Sequence, residues 1–171
     1  MDAAVRADSK ENGAIWWESA ALREAAFGNS AEARRAADAG WKLYPESQGV
    51  AVEAALAYAM PGDSAKAESL AAEIRKLHPL DTQTQSLWLP AIQAQLALNR
   101  HDPAGALAAL QRAVPPIEYG AIAYVSNLSP IYTAYIRGEA NLAAGEGPAA
   151  AAEFQRSRTT AGWCGTAGLA H

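Results

Sequence analysis

The chain is poor in the residues that build strands, disulfides and membrane spans. Val, Ile and Thr, which favour strands, are sparse, and only 8% of the residues are aromatic. A single cysteine, Cys164, excludes an intrachain disulfide. No stretch reaches the roughly 18 uninterrupted apolar residues that a membrane-spanning helix needs, so no membrane insertion is expected.

An excess of charge of one sign is also missing. Fourteen basic and 18 acidic residues give a net charge of −4, which is not the basic footprint of a nucleic-acid-binding protein. The N-terminal residues 1–6 lack the apolar run of a signal peptide. Together with the single cysteine, this predicts a cytoplasmic location, or an extracytoplasmic one if a longer parent protein has a membrane span.

Alanine is the most abundant residue. It makes up about a quarter of the chain and is the best helix former. Four short turns, each near a glycine or a proline, then divide Ala-rich segments into pairs. Glycines near these turns can take the left-handed conformation that ends a helix, and Ser, Asp or Pro residues can start the next one. The turn glycines are Gly28, Gly62 and Gly145. The predicted helix caps are Ser30, Asp63 and Asp102, and Pro103 and Pro148 stand where a first-turn proline is tolerated.

One alanine after each turn sets the spacing of the pattern. Ala33, Ala67, Ala106 and Ala150 follow one another at steps of 34, 39 and 44 residues. We therefore expect all-α hairpins at about 10–45, 48–79, 82–115 and 129–157, in a single domain over residues 1–171. Their helices are predicted at 10–27, 31–44, 48–60, 64–78, 82–99, 103–113, 129–144 and 148–157, with a linker at 114–128.

These residues resemble the tetratricopeptide repeat, whose period is 34 residues and whose consensus wants small residues at the helix crossing and a closing proline. The resemblance implies a right-handed α-solenoid of about four antiparallel helical hairpins. The residues that carry it are Trp17, Gly28, Ala33 and Pro45, then Tyr58, Gly62, Ala67 and Pro79, then Ala94, Ala106, Leu110 and Ala113, and finally Gly138, Gly145, Ala150 and Phe154.

Three stretches, 27–35, 89–98 and 135–144, look more specifically like the C-terminal repeat regions of acidobacterial signalling proteins. Those proteins are eukaryotic-like serine/threonine kinases and winged-helix transcriptional regulators. The chain has neither a kinase motif nor a winged helix, so the resemblance implies their sensory or docking part. Residues 158–171 depart from the family pattern, and we hypothesise that a frameshift in the gene produced this tail.

Catalysis and metal binding have little support in the sequence. The three histidines, His78, His101 and His171, are not spaced to share a metal ion, and no phosphate-binding glycine loop is present. Cys164 lies in the atypical tail without a paired base nearby in sequence. We expect no cofactor, no metal and no enzymatic activity.

Aromatic residues point instead to a binding surface, because Tyr and Trp are enriched in interface hot spots. By the repeat register, the first helix of each hairpin would line a concave groove. The predicted partner-binding residues are Trp88, Gln95, Tyr132, Tyr135, Glu139 and Leu142, and the same register adds Ile15, Glu18, Leu22, Val52, Leu56, Ala91 and Leu98.

The sequence thus predicts a module that binds a protein or peptide and serves as a scaffold in signalling. Two alternatives stay open. One is a self-associating structural domain in which exposed hairpin ends stack chain to chain, since an apolar end invites association. The other is a small-molecule sensor with a pocket inside the superhelix.

Overall fold

A computed structural model describes residues 9–111 and 131–164, with the side chains of 9–111 and 132–156. This part of the chain is all-helical and contains no strand, which confirms the predicted all-α class. Its α-helices are α1 Lys10–Ala26, α2 Ser30–Leu43, α3 Gln48–Ala59, α4 Ser64–Leu77, α5 Leu89–Asn99, α6 Pro103–Leu110, α7 Ile131–Ala143 and α8 Gly147–Cys164. No helix among the described residues is long and apolar enough to cross a membrane.

The helices begin and end close to the predicted positions, with one larger difference. Helix α8 continues to Cys164, beyond the end predicted at residue 157. The predicted linker 114–128, the closing residue Ala113, His171 and the last seven residues of the tail lie outside the described residues.

A π-helical turn, Thr84–Trp88, leads directly into α5. The backbone N–H of Leu89 donates to the carbonyl oxygen of Thr84, five residues back instead of four. Pro90 explains this widening, because a proline inside a helix has no N–H to donate and its ring clashes with the carbonyl four residues earlier. The helix predicted at 82–99 is therefore continuous but locally widened.

All four turns end the preceding helix with the same pair of hydrogen bonds. In the first, Gly28 N–H donates to the carbonyl of Ala25 and Asn29 N–H to that of Glu24, which is the Schellman arrangement. The same pattern recurs at residues 62–63, 101–102 and 145–146. Gly28, Gly62 and Gly145 have φ of 80°, 87° and 82°, as the turn chemistry predicted.

The third turn differs in having a side chain at the left-handed position. His101 has a φ of 58° where the other turns have glycine. Asp102 then caps α6, since its Oδ1 accepts from the backbone N–H of Gly105 at 2.8 Å. The predicted cap at Ser30 needs correction, because Asn29 precedes the helix and Ser30 is its first residue.

The four spacing alanines occupy one structural position. The backbone N–H groups of Ala33, Ala67, Ala106 and Ala150 each donate to the carbonyl of the residue just before their helix. All four are at most 2% exposed. They are small where the second helix of each hairpin packs, and this equivalence puts the four hairpins in one register.

The described residues fall into two compact units, one ending at Leu77 and the other beginning at His78. In the first unit α1 packs against α2, and α3 packs against both. Val50 of α3 is buried with Ala14 and Ile15 of α1, and the half-buried Trp41 and Tyr44 pack against this cluster. A hairpin that cannot bury its own apolar face thereby buries it against its neighbour.

Polar contacts also join the helices of the first unit. The Tyr58 hydroxyl and the Lys66 ammonium both donate to Oδ1 of Asp38 at 2.7 Å. Lys66 Nζ also lies 4.4 Å from the centre of the Tyr58 ring, within the range of a cation–π contact. These bonds lower the pKa of Asp38, and they tie α2, α3 and α4 together.

The second unit repeats the same scheme of packing. Helix α5 packs against α6, α7 packs against both of them, and α8 packs against α7. Gly138 of α7 lies against Phe154 of α8 so closely that a Cβ there would come within 2.5 Å of the ring. The predicted small residue at the helix crossing is therefore required by the approach of the two helices.

Candidate functional site

The predicted partner-binding residues lie on α5, on α7 and on the π-helical turn, all within the second unit. Since α5 and α7 pack against each other, the unit brings together the two helices that carry these residues. Their exposure differs, however, and exposure decides which of them can reach a partner.

Trp88 and Tyr132 are buried, with only 2% and 4% of their surface exposed. The Trp88 indole N–H finds no hydrogen-bond partner among the described residues. Both rings therefore pack inside the unit, and the prediction that they contact a partner is not supported by their exposure. The repeat register identified the positions, but it could not tell which rings their neighbours cover.

Tyr135 and Glu139 remain half-buried, one turn apart on α7, and Leu142 is 57% exposed on the following turn. Burial, followed by the charge of Glu139 and a hydrogen bond from the hydroxyl to its carboxylate, raises the pKa of Tyr135. The Tyr135 ring also lies 5.9 Å from that of Phe154, tilted by 53°. Tyr135 is thus held in place from two sides.

Gln95 is the remaining predicted residue, and it is half-buried on α5. Its side-chain amide donates to Oδ1 of Asn99, one turn further along the helix, at 3.1 Å. Of the six predicted partner-binding residues, the open ones are therefore Gln95 on α5 and Tyr135, Glu139 and Leu142 on α7. We call the last three the α7 face. It combines an apolar side chain with a carboxylate.

Arg137, the cation on the same helix, is engaged elsewhere. Its guanidinium lies 3.5 Å from Glu153 Oε2 and donates to the carbonyl oxygen of Leu110 at 3.4 Å. Arg156 also donates to Glu153, at 3.2 Å. Because these contacts hold α6, α7 and α8 together, Arg137 acts as a structural group and adds no positive charge to the α7 face.

In the first unit the side chains that the repeat register assigned to the groove are buried. Glu18, Leu22, Val52 and Leu56 are at most 1% exposed, and Ile15 is 9% exposed. None of these positions offers a surface comparable to that of Leu142. Among the predicted groove positions, those that remain open therefore lie in the second unit.

Two carboxyl groups are buried in the first unit, which sequence reasoning missed. Glu18 of α1 and Glu53 of α3 are both 0% exposed, and their oxygens have no partner of normal hydrogen-bond geometry among the described residues. Gly40 of α2 makes room for Glu18, since a Cβ at Gly40 would lie 2.5 Å from Glu18 Oε1.

Burial is the main reason that both carboxyl groups hold their protons. It raises the pKa of Glu18 to about 9, although the Trp41 backbone offsets part of the rise and Asp38 adds to it. Burial, and then the charge of Glu18, raises the pKa of Glu53 well above its usual range. The sequence held a signal for the burial of Glu53, because it is the one charged residue of α3 and most of the other residues of that helix are apolar.

In the described part of the chain no three His, Cys, Asp or Glu residues are grouped to hold a metal ion. His78 lies just after α4 and His101 in the third turn. The two buried carboxyl groups have no surface through which a substrate would reach them.

Comparison of the chain with protein-family models, with curated proteins and with solved structures found no match.

Proposed function

We propose that the chain is a non-catalytic module of the tetratricopeptide type, whose hairpins stack as a right-handed solenoid and which binds a segment of another protein. The observation that carries this proposal is the repeated scheme of packing. In each unit the first helix of the later hairpin packs against both helices of the earlier one, after turns of identical hydrogen bonding. Hairpins that cover one another in this way leave one face of their first helices for a partner.

The α7 face indicates which chemistry the bound segment has. Leu142 offers exposed apolar surface, and Glu139 offers a carboxylate that Tyr135 already orients by a hydrogen bond. A segment with a large aliphatic side chain next to a lysine or arginine would complement both features. In the resembled signalling proteins such a module would serve as the docking or sensory part.

A displayed peptide library tests this proposal without knowledge of the natural partner. The immobilised wild-type chain is expected to enrich peptides in which a basic residue stands beside a large aliphatic one. Glu139→Lys is expected to shift the enriched peptides from basic to acidic residues, because it reverses the charge that they meet. Leu142→Glu should lower enrichment about tenfold by removing the apolar contact.

Leu80→Glu is the matched control, since Leu80 is 92% exposed, apolar and outside the α7 face. It should select the same peptides as the wild-type chain. If all four proteins select the same peptides, or if none enriches any sequence, the α7 face is not a peptide-binding surface.

A further inference from the structure

An exposed row of side chains runs along α1, outside the α7 face. Trp16 is 73% exposed and Phe27 is 53% exposed, and the exposed Arg23 and half-buried Ala20 lie between them. The spacings of four, three and four residues place these side chains on one side of the helix. Single exposed apolar residues are ordinary, but Trp16 on α1 and Phe27, which directly follows α1 and continues its hydrogen-bond pattern, together indicate a contact surface.

The repeat register shows that the equivalent positions of other hairpins are covered. With the turn residues Gly28, Gly62 and Gly145 aligned, Trp16 corresponds to Val50 of α3 and to Thr133 of α7. Val50 is 0% exposed and Thr133 is 1% exposed. Both helices pack against the preceding hairpin of their own unit, and Val50 contacts that hairpin directly through Ala14 and Ile15.

Arg23 gives the same result at a second position. Its equivalents, Ala57 of α3 and Ala140 of α7, are both 0% exposed. The face of α1 that carries Trp16 and Arg23 is therefore the face on which this repeat accepts a neighbouring helix. This face of α1 can therefore pack against another helix, and its side chains indicate the chemistry of that helix.

The row is complementary to itself when two helices run antiparallel. Trp16 and Arg23 are seven residues apart, about 10 Å along the helix axis, and Ala20 lies near the midpoint between them. In an antiparallel pair centred near Ala20, the ring of Trp16 in each copy would face the guanidinium of Arg23 in the other. Arginine over tryptophan is the most favourable cation–π pairing among side chains, and it would form twice.

We propose that α1 is the interface of a homodimer, in which the exposed row of Trp16, Ala20, Arg23 and Phe27 packs antiparallel on the same row of a second copy. Such an interface is isologous, so it closes at two chains and does not extend into a filament. The small side chain of Ala20 at the centre allows the helices to approach closely. The interface is a single helix on each side, which predicts a reversible dimer.

Sedimentation velocity over a range of protein concentrations tests the dimer. The wild-type chain is expected to pass from monomer to dimer as concentration rises, and to form nothing larger. Trp16→Glu and Arg23→Glu are each expected to raise the dissociation constant about tenfold or more, because each removes both cation–π contacts. Leu80→Glu, which removes an even more exposed apolar residue elsewhere, should leave the dimer unchanged.

Cross-linking then tests the geometry of the pair. In a Cys164→Ser background, Ala20→Cys should form a disulfide-linked dimer on mild oxidation, because the two Ala20 positions meet at the centre. Glu73→Cys, at an exposed position on α4, should not do so. Circular dichroism of every variant should match the wild type, since the substituted side chains are not part of the core.

Three outcomes would overturn the proposal. They are a wild-type chain that stays monomeric at all concentrations, a dimer that Trp16→Glu leaves intact, and assemblies larger than two chains. The last outcome would indicate head-to-tail stacking of hairpin ends instead. Loss of dimerisation in Trp16→Glu with unchanged peptide selection would separate this interface from the α7 face.

Discussion

At the scale of single residues, the buried carboxyl groups of Glu18 and Glu53 are the most unusual feature of the molecule. Burying an ionised carboxylate without a partner costs several kcal/mol, so such groups stay protonated instead. Glu18 and Glu53 add carboxyl groups to a core that consists mainly of alanine and other aliphatic side chains. They make the stability of the first unit depend on pH.

The direction of this dependence follows from the raised pKa values. An unfolded glutamate ionises near pH 4.3, whereas the pKa of folded Glu18 is about 9. The folded state therefore binds more protons than the unfolded one between these values. The free energy of unfolding is therefore highest below the pKa of the unfolded glutamate. It falls as pH rises towards the pKa of the folded group, by about 1.4 kcal/mol per pH unit for each carboxyl group.

Glu53→Gln should remove the contribution of one carboxyl group. We expect the variant to be more stable than the wild-type chain above neutral pH and to show a flatter decline as pH rises above the pKa of an unfolded glutamate, because burial raises the pKa of folded Glu53. Denaturant unfolding at a series of pH values measures both effects. Glu73→Gln, at an exposed position, should follow the wild-type profile, and parallel profiles for all three proteins would contradict protonation of Glu53 in the folded state.

At the scale of the elements, the turns carry most of the local information. Glycine at Gly28, Gly62 and Gly145 takes a backbone conformation that side chains disfavour, and the helices end there for that reason. These boundaries were predictable because they depend on neighbouring residues alone. The π-helical turn before α5 was not predicted, although Pro90 was a signal for it, because a proline inside a helix has no N–H to donate and clashes with the carbonyl four residues back.

His101 provides a test of the shared turn geometry, because it alone among the four left-handed turn residues carries a side chain. His101→Gly is expected to stabilise the chain by about 1 kcal/mol, since glycine adopts a positive φ without steric cost. Thermal unfolding followed by circular dichroism measures the gain.

Arg100→Gly is the matched control for His101→Gly. Arg100 is the adjacent exposed residue, but its φ of −90° lies in the region that side chains favour. Glycine there relieves no strain and adds flexibility to the unfolded chain, so Arg100→Gly should be neutral or destabilising. Equal stabilisation by both substitutions would show that relief of the left-handed conformation is not the cause.

At the scale of the whole molecule, the stability of each helix should depend mainly on the helices that it contacts. The repeated scheme of packing connects each hairpin mainly to the one beside it, and the described residues form two compact units. In proteins built this way a local defect weakens nearby helices more than distant ones. The units should therefore respond differently to a change within one of them.

Gly40→Ala is a suitable local defect, because the added Cβ would meet the backbone oxygen of Ala14 at 2.9 Å as well as Glu18. Hydrogen exchange followed by mass spectrometry should show faster exchange in α1 to α4, with a smaller change in α5 to α8. Gly147→Ala has nothing within 4 Å of the added Cβ and should change neither unit. An equal increase in exchange rate in both units would contradict the expectation that a local defect weakens mainly the helices near it.

The sequence by itself determined the helices, most of their boundaries and the common register of the hairpins. These features rest on alanine content, on left-handed turn residues and on capping, which act over a few neighbouring residues. Only the tertiary structure decided which side chains are exposed. It buried Trp88 and Tyr132, closed Glu18 and Glu53 into the core, and left Leu142 and Trp16 open, because exposure depends on residues that are distant in sequence and adjacent in space.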